Sequence, residues 1–169
     1  MNAKEFYKSY RADDYLQDLN YALTNEVASY SPIHVFEFGC GTGKNLAELN
    51  AMGICTAGVD ISPDNIAKAI HRHNLPCVVC SDETYLRHLC NFDVVFTCSV
   101  LDHIEDVAGI VDELKRIANK AVVIAEATRH DPETYYWKHN YELMGFVKTS
   151  FEWTGDDGAT YHIWKFEKL

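Results

Sequence analysis

Between residues 37 and 43 the chain reads Glu-Phe-Gly-Cys-Gly-Thr-Gly, three glycines alternating behind an acidic residue. Gly39 and Gly41 permit a tight turn and close approach of the backbone to a ligand, and Gly43 eases contact between a following helix and its strand. The spacing argues against two phosphate-binding loops. A P-loop needs a glycine five positions before Gly43, where Phe38 stands, and the dinucleotide fingerprint needs its third glycine where Lys44 stands. An adenosine ligand poor in phosphate fits better. Asp60, in Gly58-Val59-Asp60-Ile61, offers a carboxylate that can accept from both hydroxyls of a ribose. Ser81-Asp82-Glu83 offers another, suited either to an adenine amino group or to capping a helix. His103, in Val100-Leu101-Asp102-His103-Ile104, carries an imidazole that can take a proton near pH 7, or can line a pocket and brace it. His130, following Glu126-Ala127-Thr128-Arg129, is a second candidate base. Tyr10, Arg11, Tyr15, Tyr135, Tyr136 and Trp137 could form a lid and acceptor wall, or could simply pack.

Strands and helices must position these residues, and the apolar pattern supplies both in alternation. Leu16, Leu19, Leu23 and Val27 recur at helical spacing over 13–30, with Asp13 or Asp14 to cap the start and Pro32 to end it. Strands are predicted over 33–38, 56–61, 76–80, 92–97 and 121–125, each a short apolar run. Between them, 44–52, 62–73 and 106–117 read as helices; Ser62-Pro63 supplies an N-cap and a first-turn proline for the second of these. Nearly continuous apolar strands separated by helices predict a parallel sheet covered on both faces. A further helix is predicted from Asp131-Pro132 to Met144, stopped by Gly145. An antiparallel hairpin, 146–153 and 159–166, follows around Thr154-Gly155-Asp156-Asp157-Gly158. In such an α/β sheet, ligands bind beyond the carboxyl ends of the strands, where the candidate residues fall.

The 169 residues suffice for one domain. The net charge of -10 supplies no basic footprint for nucleic acid. No run is apolar enough for a membrane span, and the Met1–Phe6 start lacks the core of a signal peptide, so a cytoplasmic chain is expected. Six cysteines, at 40, 55, 77, 80, 90 and 98, are then expected as thiols. The run from His71 to Cys80 nominally offers metal ligands. Leu75 to Cys80 reads better as a short buried strand whose cysteines are small core residues, and no metal is expected.

Taken together, Glu37-x-Gly39-x-Gly41-x-Gly43, Gly58-Val59-Asp60, Cys80-Ser81-Asp82 and Phe92-Asp93-Val94-Val95-Phe96 through Val100-Leu101-Asp102-His103-Ile104 resemble the class I S-adenosylmethionine-dependent methyltransferases. The resemblance spans roughly residues 33–169. It implies a Rossmann-like, doubly wound, mostly parallel seven-stranded sheet with helices on both faces and an antiparallel C-terminal hairpin. It also implies a single methyltransferase domain, with 1–31 a helical cap and 32–169 the core. S-adenosylmethionine is the implied cofactor. Glu37 and the backbone of Gly39, Cys40, Gly41 and Gly43 would hold its methionine part, Asp60 and Ile61 its ribose, Asp82 and Glu83 its adenine. Cys98 and Ser99 would run beside the sulfonium. The run Thr97-Cys98-Ser99-Val100 lacks the Asp/Asn-Pro-Pro-aromatic run of adenine amino-methylating enzymes. The single Pro-Cys, Pro76-Cys77, stands too early for a cytosine C5 nucleophile. The expected acceptor is therefore a small molecule methylated on O or N, with His103 as candidate base and the protein a monomer or homodimer. A non-catalytic S-adenosylmethionine-binding module is the alternative that the short chain leaves open.

Overall fold

The computed structural model describes residues 3–9, 17–129, 131, 133, 135–155 and 158–168. Its elements in chain order are α1 (Ala3–Ser9), α2 (Gln17–Ser29), β1 (His34–Phe38), α3 (Lys44–Ala51), β2 (Cys55–Asp60), α4 (Pro63–His73), β3 (Val78–Cys80), β4 (Phe92–Cys98), α5 (Ala108–Ile117), β5 (Ala118–Ala127), β6 (Val147–Thr154) and β7 (Thr160–Glu167), with 3-10 turns at Glu83–His88 and Leu101–His103. One seven-stranded sheet has the order β3-β2-β1-β4-β5-β7-β6. Strands β1 to β5 pair in parallel, and β7 runs antiparallel to both β5 and β6. The order turns back between β1 and β4, so the loops leaving those two strands diverge and leave a crevice at their carboxyl ends.

Each face of the sheet is covered. On one, Leu19, Leu23 and Val27 of α2, Leu46 and Leu49 of α3 and Ile66 and Ala69 of α4 pack on Val35, Val94, Phe96 and Val123. On the other, Ile110, Val111, Leu114 and Ile117 of α5 pack on Phe36, Val95, Val122 and Ile124. The central strands are buried on both sides, which is why they read as unbroken apolar runs. Ser62 caps α4 by accepting from the Asn65 N–H, with Pro63 in the first turn and Asn74 left-handed at the end.

Two expectations are corrected. The described residues of 131–146 form no α-helix: Asp131 and Tyr136 exchange backbone hydrogen bonds of 2.8 and 2.9 Å, and Tyr135 between them has φ +61°. The Trp137 N–H bonds the Asp102 carbonyl at 2.7 Å, and Gly145 (φ +83°) ends a turn over 141–145. Backbone groups there find partners across the site instead of within a helix, and the aromatic cluster at 135–137 packs on neighbouring loops instead of forming a helical stripe. Cys77 and Cys80 are exposed, not core, because β3 is an edge strand and contributes only Val78 to the interior. The predicted cap at Asp13 or Asp14 lies outside the described residues, as do Leu16 and the Asp156-Asp157 part of the hairpin loop. No helix among the described residues is long and apolar enough to cross a membrane.

Candidate active site

The glycine loop leaves β1 and folds back on β2. Gly39 and Cys40 N–H groups both donate to the Val59 carbonyl, at 2.8 and 2.9 Å, and Gly43 N–H closes the turn on Cys40 O at 2.8 Å. Gly39, Gly41 and Gly43 have φ of +74°, +51° and +79°, where a side chain is costly. Gly39 is confined twice over. A β-carbon there would lie 2.2 Å from Val100 Cγ2, in the loop after β4, and valine is stiff at χ1. Gly39→Ala therefore costs about 2–5 kcal/mol of stability, as strain at positive φ plus overpacking. Thermal unfolding measures it. Adding Val100→Ala returns the packing part and leaves the backbone part.

Asp60 closes β2 and ties the loop down. Its Oδ2 accepts from Gly41 N–H at 2.8 Å, and its Oδ1 from Ser62 N–H at 2.8 Å and Asn65 Nδ2 at 3.4 Å. Burial raises its pKa, and these three donors oppose that rise. The Asn65 contact is long for a hydrogen bond and is the weakest of the three. Ile61 follows on the same edge, and its carbonyl faces the Cys80 thiol at 3.8 Å.

Glu37 is almost fully buried, and its Oε1 accepts from Asn45 Nδ2 at 2.7 Å while Oε2 has no partner. Burial pushes this carboxyl from the usual 4.5 up to about 8; the Asn45 bond opposes the rise and the charge of Asp60 adds to it. The folded chain thus holds a proton on Glu37 that the unfolded chain releases. That contribution to stability is complete below about pH 4.5 and is lost as pH rises toward 8. Glu37→Gln removes this dependence, so the variant gains in melting temperature on the wild type between pH 6 and 8.5. A parallel fall of both would refute it.

Asn45 also lies against the Cys98 thiol, at the carboxyl end of β4, which burial first and then the charges of Glu37, Glu126 and Asp102 push up. Cys40 is raised in the same way, chiefly by burial. Both are poor nucleophiles, since the thiolate is the reactive form. Ser99 follows at φ +52°, its N–H on the Ala125 carbonyl at 2.8 Å. Asp82 caps the 3-10 turn of Glu83–His88, accepting from Thr84 N–H at 3.1 Å and Thr84 Oγ1 at 2.5 Å, so the capping role open in the sequence is observed. It sits two residues beyond Cys80, which pairs with Asp60 across the sheet.

His103 stands at the end of the turn after β4. Its Nε2 lies 3.6 Å from Oδ1 of the fully buried Asp102. Its Nδ1 lies 2.6 Å from the Tyr7 hydroxyl of α1 and 3.1 Å from the Tyr135 carbonyl. The Tyr7 and Tyr136 rings each centre 4.5 Å from the imidazole. Behind it, the buried Glu126 at the end of β5 accepts from Val100 N–H at 3.1 Å, Asp102 N–H at 3.1 Å and Thr97 Oγ1 at 3.2 Å. Burial raises both Asp102 and Glu126, and the charge of Asp102 raises Glu126 further.

The structure thus brings Glu37, Gly39, Cys40, Gly41, Gly43, Asp60 and Ile61 into one cradle, with Cys98 and Ser99 on its β4 side and His103 at its far rim. Tyr135 and Tyr136 flank that rim. His130, Tyr10, Arg11 and Tyr15 lie outside the described residues. Asn45, Asp102, Glu126 and Tyr7 escaped the sequence reading. Asp102 and Glu126 carried a usable signal, being carboxylates at or just past strand ends; Tyr7 carried none, because its contact spans 96 residues. Among the described residues no group of three or more His, Cys, Asp or Glu could hold a metal ion.

A family model for a methyltransferase domain matches residues 36–125, and no curated protein sequence matches the chain. Among solved structures, the chain is similar to magnesium protoporphyrin IX methyltransferase from Synechocystis PCC 6803 with bound S-adenosylmethionine (TM-score 0.75, 15% identity, 100% of this chain and 98% of that one). It is similar also to the N-methyltransferase NodS from Bradyrhizobium japonicum WM9 in complex with S-adenosyl-L-homocysteine (TM-score 0.75, 15% identity, 99% of each chain). TehB from Haemophilus influenzae matches with a TM-score of 0.69 at 20% identity, over 86% of this chain and 61% of that one. Fold, glycine loop and family match agree: the chain belongs to the methyltransferase domain family and is an S-adenosylmethionine-dependent methyltransferase of the class I fold.

Proposed function

We propose that the chain methylates an oxygen or nitrogen of a small-molecule acceptor, with His103 taking the acceptor proton. The observation that carries this is the Tyr7 hydroxyl 2.6 Å from His103 Nδ1. An O–H group of the chain itself lies within reach of an imidazole whose other nitrogen faces a buried carboxyl. An acceptor O–H or N–H placed there can transfer its proton to Nδ1.

The residues present fit the cofactor. The unpartnered Oε2 of Glu37, once its proton has left, can receive an ammonium, the positive-φ glycine loop admits a ligand close to backbone, and Asp60 keeps an acceptor site for a ribose hydroxyl. In this reading Glu37 and the loop from Gly39 to Gly43 hold the methionine part. Asp60 and Ile61 hold the sugar, Asp82 and Glu83 border the base, and Cys98 and Ser99 border the sulfur. When bound, S-adenosylmethionine supplies an electrophilic methyl on a sulfonium. The chain's own contribution is alignment, exclusion of water by the aromatic rim, and removal of one proton per transfer. Glu126 sets the loop that carries His103, and Asp102 stabilises the imidazolium once it forms. The net charge of -10 supports a small acceptor over nucleic acid.

Calorimetric titration with S-adenosylhomocysteine, followed by a methyl-transfer assay over phenols, hydroxy acids, amines and oligonucleotides, tests the proposal. Micromolar binding with product from a small molecule is expected. Product from oligonucleotides alone, or binding without any product, overturns it.

A further inference from the structure

Glu37 lies in β1 and Asn45 in the first turn of α3, on either side of the glycine loop. Their side chains are 1% and 6% exposed, and a single hydrogen bond joins them, from Asn45 Nδ2 to Glu37 Oε1 at 2.7 Å. The other oxygen of each, Glu37 Oε2 and Asn45 Oδ1, is buried without a hydrogen-bond partner. Two orphaned acceptors at the two ends of one bond are a costly arrangement, and a group that repairs it must bring donors.

The titratable groups around the pair bring none of the charge that would hold Glu37 ionised. Asp60 closes β2, Cys40 lies in the glycine loop, and Cys98 ends β4, where its thiol donates to Asn20 Oδ1 of α2 at 3.5 Å. None of these is a cation, and the charge of Asp60 opposes a second negative charge beside it. A buried carboxylate whose one partner is a neutral amide is costly as an anion and takes up a proton instead. Burial accordingly pushes Glu37 up to about 8, so on its own the chain holds this group as a neutral acid at neutral pH. An amino-acid ammonium carries three N–H donors and a positive charge, which is what both oxygens lack.

We infer that Glu37 and Asn45 form a buried ammonium site that loads by proton exchange: as the amino-acid end of the cofactor enters, Glu37 gives its carboxyl proton to solvent and the carboxylate pairs with the ammonium. One proton leaves for each cofactor bound, and charge balances. Asn45 is a positioning residue that acts through Glu37, holding Oε1 and favouring the anion. The inference rests on the cofactor placement proposed above and adds a proton to its binding equilibrium.

Calorimetric titration with S-adenosylhomocysteine near pH 7 in phosphate, HEPES and imidazole, buffers that differ in heat of ionisation, counts the protons. About one is released per ligand, and Kd falls about tenfold between pH 6 and pH 7. Methylthioadenosine, which keeps the nucleoside and sulfur but lacks the amino acid, binds with no release and a flat pH profile. Glu37→Gln, neutral throughout, binds S-adenosylhomocysteine with no release, and its deficit against the wild type grows as pH rises. Asn45→Ala loses the bond that favours the anion, so its gain in affinity moves to higher pH while its methylthioadenosine affinity stays within twofold of wild type. No proton released, equal release with methylthioadenosine, or release that persists in Glu37→Gln overturns the inference. The comparison of the two ligands uses the wild-type chain alone and stands whether or not the variants fold. Failure of S-adenosylhomocysteine to bind at any pH is the separate result that removes the underlying reading.

Discussion

His103→Ala lowers kcat for methyl transfer by about 10²–10⁴-fold, the usual contribution of a positioned proton acceptor. It leaves S-adenosylhomocysteine affinity within about twofold, since His103 lies on the acceptor rim and not in the glycine cradle. Steady-state kinetics with a calorimetric control separates the two. A loss confined to KM, or an equal loss of cofactor binding, assigns His103 to pocket lining instead. Asp102→Asn distinguishes further. It keeps the shape of the side chain but replaces the carboxyl 3.6 Å from Nε2 with an amide, so it lowers kcat by a smaller factor than His103→Ala and leaves KM nearly unchanged. Tyr7→Phe removes only the hydroxyl on Nδ1. It speeds the acceptor's access to His103 if Tyr7 holds the place of the acceptor, and slows turnover if the phenol passes the proton on.

Asp60→Ala weakens S-adenosylhomocysteine binding at least tenfold and destabilises the fold by about 1–3 kcal/mol, because it strands the donors that now converge on one carboxylate. Gly41 N–H, Ser62 N–H and Asn65 Nδ2 all lose their acceptor together. Asp60→Asn separates the two effects. Its oxygen still accepts one of the backbone donors, while its NH₂ cannot accept and turns a donor toward the other. Binding therefore falls in both variants, and stability recovers partly in Asp60→Asn. Calorimetry for affinity and denaturant unfolding for stability give the two numbers. Unchanged affinity in Asp60→Ala would move the sugar site elsewhere on the sheet edge.

The parts of the fold legible in the sequence were those governed by short-range rules. Apolar runs at 33–38, 92–97 and 121–125 announced strands buried on both faces, seen at His34–Phe38, Phe92–Cys98 and Ala118–Ala127, and Ser62-Pro63 announced the start of α4. Sheet order came through resemblance, because nothing local in β1 tells it to lie between β2 and β4. The region after β5 failed for the same reason. A proline, a run of aromatics and a terminal glycine have the grammar of a helix, but the Trp137 N–H is taken by Asp102 and His139 Nε2 sits between the Leu101 and Ile104 carbonyls. Those partners are more than 30 residues away, and local propensity does not weigh them. Within the candidate site, the turn made by the glycines and its tie to Asp60 were legible because their spacing is short and the contacts are with backbone. Glu126 was passed over although it organises the loop behind His103: its place at a strand end was a usable signal, but the N–H groups that reach it come from residues 100 and 102, far away in the chain.

Val100 occupies the volume that a β-carbon on Gly39 would need. The glycine loop after β1 and the loop after β4, which on the proposed reading would hold the methyl donor and present the acceptor base, are therefore interlocked like cogwheels: a bulkier residue at one must be answered by a smaller one at the other. Lineages of this domain that drift toward new acceptors are then expected to change the rim from residue 129 onward, and to hold 39 and 100 as a matched couple.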